Sequence, residues 1–178
     1  MKGLDKRLDM SVSVLFVCLG NICRSPTADG IFRHHLQKAD WHKRVRVDSA
    51  GTSDWHIGRA PDPRTVAAAH KRGYDLSALR GRQVTAADFN DFDYVLAMDK
   101  ANLADLQTLA PADYRGHLGL FLAFATQQTL DEVPDPYYGE GDGFERVLDL
   151  IEDACAGLLR HIQLHHSESS SASVDFSS

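Results

Sequence analysis

Cys18 and Arg24 stand with five residues between them, inside the run VLFVCLGNICRSPTA from Val14 to Ala28. The thiolate of a cysteine is a nucleophile. The guanidinium of an arginine is a planar fork that matches two oxygens of a phosphate. Together they suit phosphoryl transfer, in which the sulfur attacks phosphorus and a phosphocysteine forms. Ser25 follows directly, and its hydroxyl can donate a hydrogen bond to the sulfur and help it depart later.

The spacing alone is a weak signal. With 13 arginines in 178 residues and three cysteines, chance gives about 0.2 such pairs per chain. A buried cysteine at a strand end, followed by a surface arginine, would look the same. The flanking residues change the odds. Ser11 to Val17 is a β-branched and apolar run, which reads as a buried parallel strand. Ser25 opens a helix with Pro26 in its first turn, where a missing N–H costs nothing. A loop joining a strand to a helix N-terminus aims backbone N–H groups inward, and the helix dipole adds positive potential. Gly20 permits close approach, and Asn21 tolerates φ > 0. The same environment favours the thiolate of Cys18, since a free thiol, with a pKa of about 8.5, is only slightly ionised near pH 7. The glycines do not fit a nucleotide-binding loop, and its GK[ST] ending is absent.

Expelling the oxygen of a phosphate ester calls for an acid. Asp131, Glu132 and Asp135 surround Pro134, in a stretch that continues VPDPYYG from Val133 to Gly139. Asp135 lies between two prolines, so its backbone is restricted and its carboxyl is stiffly presented. Tyr137 and Tyr138 follow and could wall a cleft against an aromatic ring. An ordinary proline-rich turn with a solvated aspartate is the plainer alternative.

These groups must be carried by a scaffold. Further strands are predicted at Arg44 to Ser49, Tyr94 to Met98 and, more weakly, Leu118 to Leu122. Helices are predicted at Pro63 to Arg72, near Thr85 to Phe89, at Lys100 to Leu109, and over Phe144 to Gln163 with one apolar face. Alternation of strands and helices predicts an α/β fold, a parallel sheet covered on both faces. Residues 1–11 read as a flexible arm, 12–164 as one domain, and the serine-rich 165–178 as a disordered tail.

Composition narrows the function classes. The net charge of −6 lacks the basic excess of a nucleic-acid-binding surface. No apolar stretch approaches the length of a membrane span. The N-terminus MKGLDKRLDM is charged and polar, unlike a signal peptide, so a cytoplasmic location is expected. Three cysteines, Cys18, Cys23 and Cys155, argue against a disulfide framework. Cys155 reads as packing on the last helix, Trp41 as a contact between the first helix and the sheet, and Asp99 as a helix N-cap. His161 and His165 lie four apart but have no third partner in the sequence pattern, so no metal is expected.

The long motif, with VDSAGTSDW at 47–55, FDYVLAMD at 92–99 and DPYYG at 135–139, resembles the low-molecular-weight protein-tyrosine phosphatase family over about residues 12–162. The resemblance implies a doubly wound, four-stranded parallel sheet flanked by helices, with the site at the carboxyl end of the first strand. It implies Cys18 as nucleophile, Arg24 as phosphate ligand, and Asp135 as general acid and then base. The backbone amides of Leu19, Gly20, Asn21, Ile22, Cys23 and Arg24 would cradle the phosphate, while Asn21, Ser25 and Ser49 support the loop. Trp55, Tyr137 and Tyr138 would line a cleft deep enough to favour phosphotyrosine over phosphoserine. Cys23 matches a position able to form a reversible disulfide with Cys18. The implied partner is a phosphotyrosine-containing protein, such as an autophosphorylated tyrosine kinase, and no cofactor is implied.

One departure is visible. Many members carry a histidine where this chain has Leu79, so the support of the loop asparagine is expected to be rearranged. Two rival functions share the loop. A thioredoxin-coupled arsenate reductase needs resolving cysteines downstream, and this chain has none between Cys23 and Cys155. A phosphate-binding adaptor would not need Cys18, Arg24 and Asp135 together.

Overall fold

The computed structural model describes residues 12–136 and 142–166. Four strands form one parallel sheet: β1 (Val12–Cys18), β2 (Val45–Gly51), β3 (Tyr94–Ala97) and β4 (His117–Leu120). The helices are α1 (Arg24–Lys38), α2 (Pro63–Lys71), α3 (Asp88–Asp91), α4 (Lys100–Leu109) and α5 (Gly143–His166). The spatial strand order is β2-β1-β3-β4. The winding therefore reverses beside β1, which opens a crevice at the carboxyl ends of β1 and β3.

Every residue of β1 is buried, as expected for a strand covered on both sides. Its side chains alternate between two cores. Val12, Val14, Phe16 and Cys18 face α1 and α5. Leu15 and Val17 face a second core with Phe89 of α3, Val95 and Leu106 of α4. Phe16 meets Phe32 and Phe121 edge-on, at ring-centroid distances of 5.8 and 5.0 Å. The doubly wound sheet read from the sequence is thus the observed architecture.

Several boundaries differ for identifiable reasons. Helix α4 has the bounds expected of it, because Asp99 caps its start by accepting from Asn102 N. The short helix expected near Thr85 begins at Asp88; the Asp88 carboxylate accepts the Thr85 N–H, closing a turn before the helix begins. The fourth strand ends at Leu120, and Phe121–Phe124 form a 3₁₀ turn that turns Phe121 into the core. Helix α5 continues through His165 and His166, two positions that the sequence reading gave to the tail. There Tyr94 Oη and His166 Nε2 are 3.1 Å apart, and Arg44 donates to the His166 carbonyl at 3.2 Å. The expected arm (1–11) and the rest of the expected tail (167–178) lie outside the described residues.

Candidate active site

Cys18 is the last residue of β1 and pairs with Gly51 of β2. From there the chain turns through Leu19–Cys23 into α1. The loop carbonyls are drawn outward. Thr52 N donates to Cys18 O at 2.9 Å, Ser53 N to Leu19 O at 3.0 Å, and Asp62 N to Ile22 O at 2.9 Å. The Cys23 carbonyl accepts from Thr27 N and Thr27 Oγ1. In a trans peptide the N–H opposes the carbonyl. The amides of Leu19, Gly20, Cys23 and Arg24 are thereby turned to the other side, where the loop encloses a pocket.

That pocket is lined by Cys18, Leu19, Gly20, Ile22, Cys23, Arg24, Trp55, His56 and Asp135. The Cys18 sulfur receives Asn21 N at 3.2 Å and Ser25 N at 3.5 Å, and lies 3.0 Å from Ser25 Oγ. Asn21 has φ of 58°, the left-handed region that asparagine tolerates better than most residues. Its Nδ2 donates to Ser25 Oγ at 2.8 Å and to Ser49 Oγ at 3.0 Å. Since Ser25 Oγ accepts from Asn21, its own proton is left for the sulfur or for Ala50 O, and the sulfur is nearer, at 3.0 against 3.3 Å.

Arg24 is buried. Its Nη1 donates to Asp99 Oδ2 at 2.6 Å and to Val133 O at 3.0 Å, and its Nη2 lies 3.6 Å from Asp135 Oδ2. Burial works against its charge, but Cys18, Asp99 and Asp135 outweigh that and hold its pKa above the ordinary arginine value. The guanidinium therefore stays cationic. Asp99 is a site residue that sequence reasoning placed only as a cap. It does both, with Oδ1 on the helix and Oδ2 on Arg24. Its position just after β3, beside β1 at the winding reversal, was the available signal.

The three candidate acids separate in space. Lys100 N donates to Glu132 Oε2 at 2.7 Å, and Lys100 Nζ pairs with Asp131 Oδ2 at 3.1 Å. Both carboxylates are thus held at the start of α4, and neither lines the sulfur's pocket. Asp135 does, on a loop tied down by Val133 N donating to Met98 O at 2.8 Å. Trp55 stands at the rim, 64% exposed, a large apolar surface open to a ligand. Tyr137 and Tyr138 lie outside the described residues.

Cys23 also lines the pocket, and burial pushes its thiol up to about 12, so it stays protonated. Cys155 is fully buried and lies 3.9 Å from Ala28 O, and all three cysteines are free. Leu79 is partly buried against the α1–α5 core and offers Asn21 no hydrogen bond. The Asn21 carbonyl instead accepts the backbone N–H of Arg82 at 2.9 Å. Among the described residues no cluster of three histidine, cysteine or carboxylate side chains is placed to hold a metal. The rings of His161 and His165 stack at 4.0 Å. No described helix is long and apolar enough to cross a membrane.

Comparison with known proteins gives the family and the fold. Residues 13–168 match the family described as low molecular weight phosphotyrosine protein phosphatase. The chain is 44% identical over 153 residues to the low molecular weight phosphotyrosine protein phosphatase of Schizosaccharomyces pombe, covering 85% of this chain and 97% of that one. A low molecular weight protein-tyrosine-phosphatase of Bacillus subtilis is 41% identical over 152 residues, covering 85% and 96%. The fold is similar to that of a protein tyrosine phosphatase from Entamoeba histolytica crystallised with Hepes in its active site. The TM-score is 0.83 at 40% identity, over 89% of this chain and 99% of that one.

Proposed function

The chain belongs to the low molecular weight phosphotyrosine protein phosphatase family, a family of hydrolases, and from that premise we propose that it cleaves phosphotyrosine through a phosphocysteine on Cys18. The observation that carries this reading is the convergence on one sulfur of Asn21 N, Ser25 N and Ser25 Oγ, with Arg24 and Asp135 in the same pocket.

The loop amides and the Arg24 fork bind the phosphate oxygens. The Cys18 thiolate attacks phosphorus as the bond to the phenolic oxygen breaks, and the Asp135 carboxyl gives that oxygen its proton. Tyrosine leaves and phosphocysteine remains. Asp135, now a carboxylate, takes a proton from water, whose oxygen attacks phosphorus. The sulfur departs as thiolate, stabilised by the Ser25 hydroxyl, and inorganic phosphate is released. Preorganised donors contribute most because they need no reorientation as charge develops.

The proposed partner is a phosphotyrosine-bearing protein, and an autophosphorylated tyrosine kinase is the partner class to trap with an Asp135→Ala variant. Arsenate reduction coupled to thioredoxin is not favoured, since Cys155 is sealed in the core rather than poised to resolve a disulfide.

The decisive experiment is rapid acid quench of enzyme with a phosphotyrosine peptide, followed by mass spectrometry. One phosphoryl group on the Cys18 peptide is expected. Cys18→Ser is expected to bind inorganic phosphate without turnover. Residual turnover in that variant would remove Cys18 from its role.

A further inference from the structure

We propose that Arg82 is a positioning residue for the nucleophile: clamped between Asp48 and Asp88, it holds the backbone N–H that locks Asn21, and through Asn21 it aligns the donors on Cys18. This inference rests on the phosphatase reading of the Cys18 pocket.

Asn21 occupies a left-handed conformation that asparagine tolerates but that the surrounding contacts must still select. Its side chain has three anchors. Two are the hydroxyls of Ser25 and Ser49, and the third is the Arg82 N–H on its carbonyl oxygen. The third anchor also fixes which way the amide faces. With Oδ1 on Arg82, Nδ2 must point at the hydroxyls, and Ser25 must then turn its own proton away from Asn21.

Arg82 lies in a stretch with little regular structure, where the bridge between Gly51 and Gln83 provides the pairing. Gly51 N donates to Arg82 O and Val84 N to Gly51 O, each at 2.8 Å. Side chains supply further ties. Arg82 Nη1 and Nη2 meet the two oxygens of Asp88 at 3.1 and 3.0 Å. The Asp88 side chain is 8% exposed and that of Arg82 34%, so the carboxylate end of this fork is buried while the guanidinium keeps a partly solvated face. Arg82 Nε donates to Asp48 Oδ2 at 3.1 Å. The other oxygen of Asp48 accepts the N–H of Ser49 at 2.8 Å. One carboxylate therefore links Arg82 to Ser49, two of the three anchors of Asn21. The clamp fixes their separation, and the Asn21 amide spans it. Leu79 makes no polar contact here, so Arg82 holds the asparagine carbonyl.

The test uses the full chain with Arg82→Gln and Asp88→Asn, the second being the milder change. Alkylation of Cys18 by neutral iodoacetamide, read by mass spectrometry of the Cys18 peptide, reports thiolate reactivity directly. In each variant the alkylation rate at neutral pH is expected to fall roughly tenfold, with the midpoint of its pH dependence moved upward. kcat on an aryl phosphate should fall more than KM rises. In an Asn21→Ala background the same two substitutions should change alkylation less than about twofold, because the route through Asn21 is already cut. Unchanged alkylation in both variants, or losses that multiply in the Asn21→Ala background, would overturn the proposal. If the unmodified chain fails to hydrolyse aryl phosphates while the coupling of Arg82 to Asn21 persists in alkylation, the phosphatase reading falls and the positioning role stands.

Discussion

Arg24 Nη1 donates to Asp99 Oδ2 at 2.6 Å, so the guanidinium proposed to bind phosphate is held by the residue that also caps helix α4. The two tasks use different oxygens and can be separated by substitution.

Asp99→Asn preserves an acceptor for the cap but removes the charge that orients Arg24. Thermal stability is expected to change by less than about 0.5 kcal/mol, while kcat/KM on aryl phosphates falls about tenfold. Asp99→Ala should add a cap loss of about 1 kcal/mol. Equal kcat/KM in the unmodified and Asn proteins would mean that the pair does not orient Arg24.

Asp135 is assigned to protonate the leaving phenol. In Asp135→Ala, first-turnover release of tyrosine should slow about a hundredfold or more. Release of a strongly acidic phenol, which needs no proton, should barely change, and binding should be little affected. Stopped-flow bursts with two leaving groups make the comparison. Equal slowing of both would show that Asp135 acts otherwise than as an acid.

Gly51 sits beneath the loop. A Cβ there would lie 2.8 Å from the Leu19 carbonyl oxygen and 3.1 Å from the Gly20 carbonyl carbon, both backbone atoms. Gly51→Ala must therefore shift either β2 or the loop, at about 1–3 kcal/mol. Loss of activity larger than the population of unfolded protein explains is expected, read by combining urea titration with kcat/KM. Wild-type activity and stability together would contradict the close approach.

Acid should weaken the end of α5. Burial holds His117, His161 and His166 below the usual histidine value; for His161 the neighbouring His165, His117 and His166 add to this, and for His166 Asp93 opposes it. The unfolded chain then binds more protons than the folded one as pH falls through about 6.5. Their contribution is whole above that pH and is lost below it. The aspartates held below their ordinary range, Asp62, Asp75 and Asp153, act only in more acidic solution; Asp29, raised by burial, works in the opposite sense, and His35 of α1, lowered by burial, adds to the loss. The urea midpoint is expected to drop between pH 7.5 and 5.5, and the drop should shrink in His161→Gln. A flat midpoint over that window would exclude the histidines.

The legible parts of the fold were those governed by local signals. Helix α4 has an N-cap at Asp99 and Pro111 just beyond its end, and its bounds follow from them. The fourth strand was read too long because Phe121 and Leu122 are as apolar as strand residues, yet Phe121 packs against Phe16 from a 3₁₀ turn. Periodicity cannot separate those outcomes over four residues. Asp99 was half legible: its cap partner is three residues away, and its guanidinium partner is 75 residues away.

From Val14 to Ala28 the sequence by itself marked the strand, turn and helix start that carry Cys18 and Arg24. Strand, an asparagine that tolerates φ > 0 and a helix start are consecutive there, so the course of the turn is local, while Thr52, Ser53 and Asp62 hold its carbonyls outward. The prolines and the family resemblance pointed to Asp135; only the tertiary structure put it, and neither Asp131 nor Glu132, in the sulfur's pocket, and set the Arg82 N–H on Asn21. Those choices depend on which strand ends are neighbours. The order β2-β1-β3-β4 brings the segments after β2 and β3 to the end of β1, and Val133 N on Met98 O ties the Asp135 loop to the second of them, relations between distant stretches that no local spacing encodes.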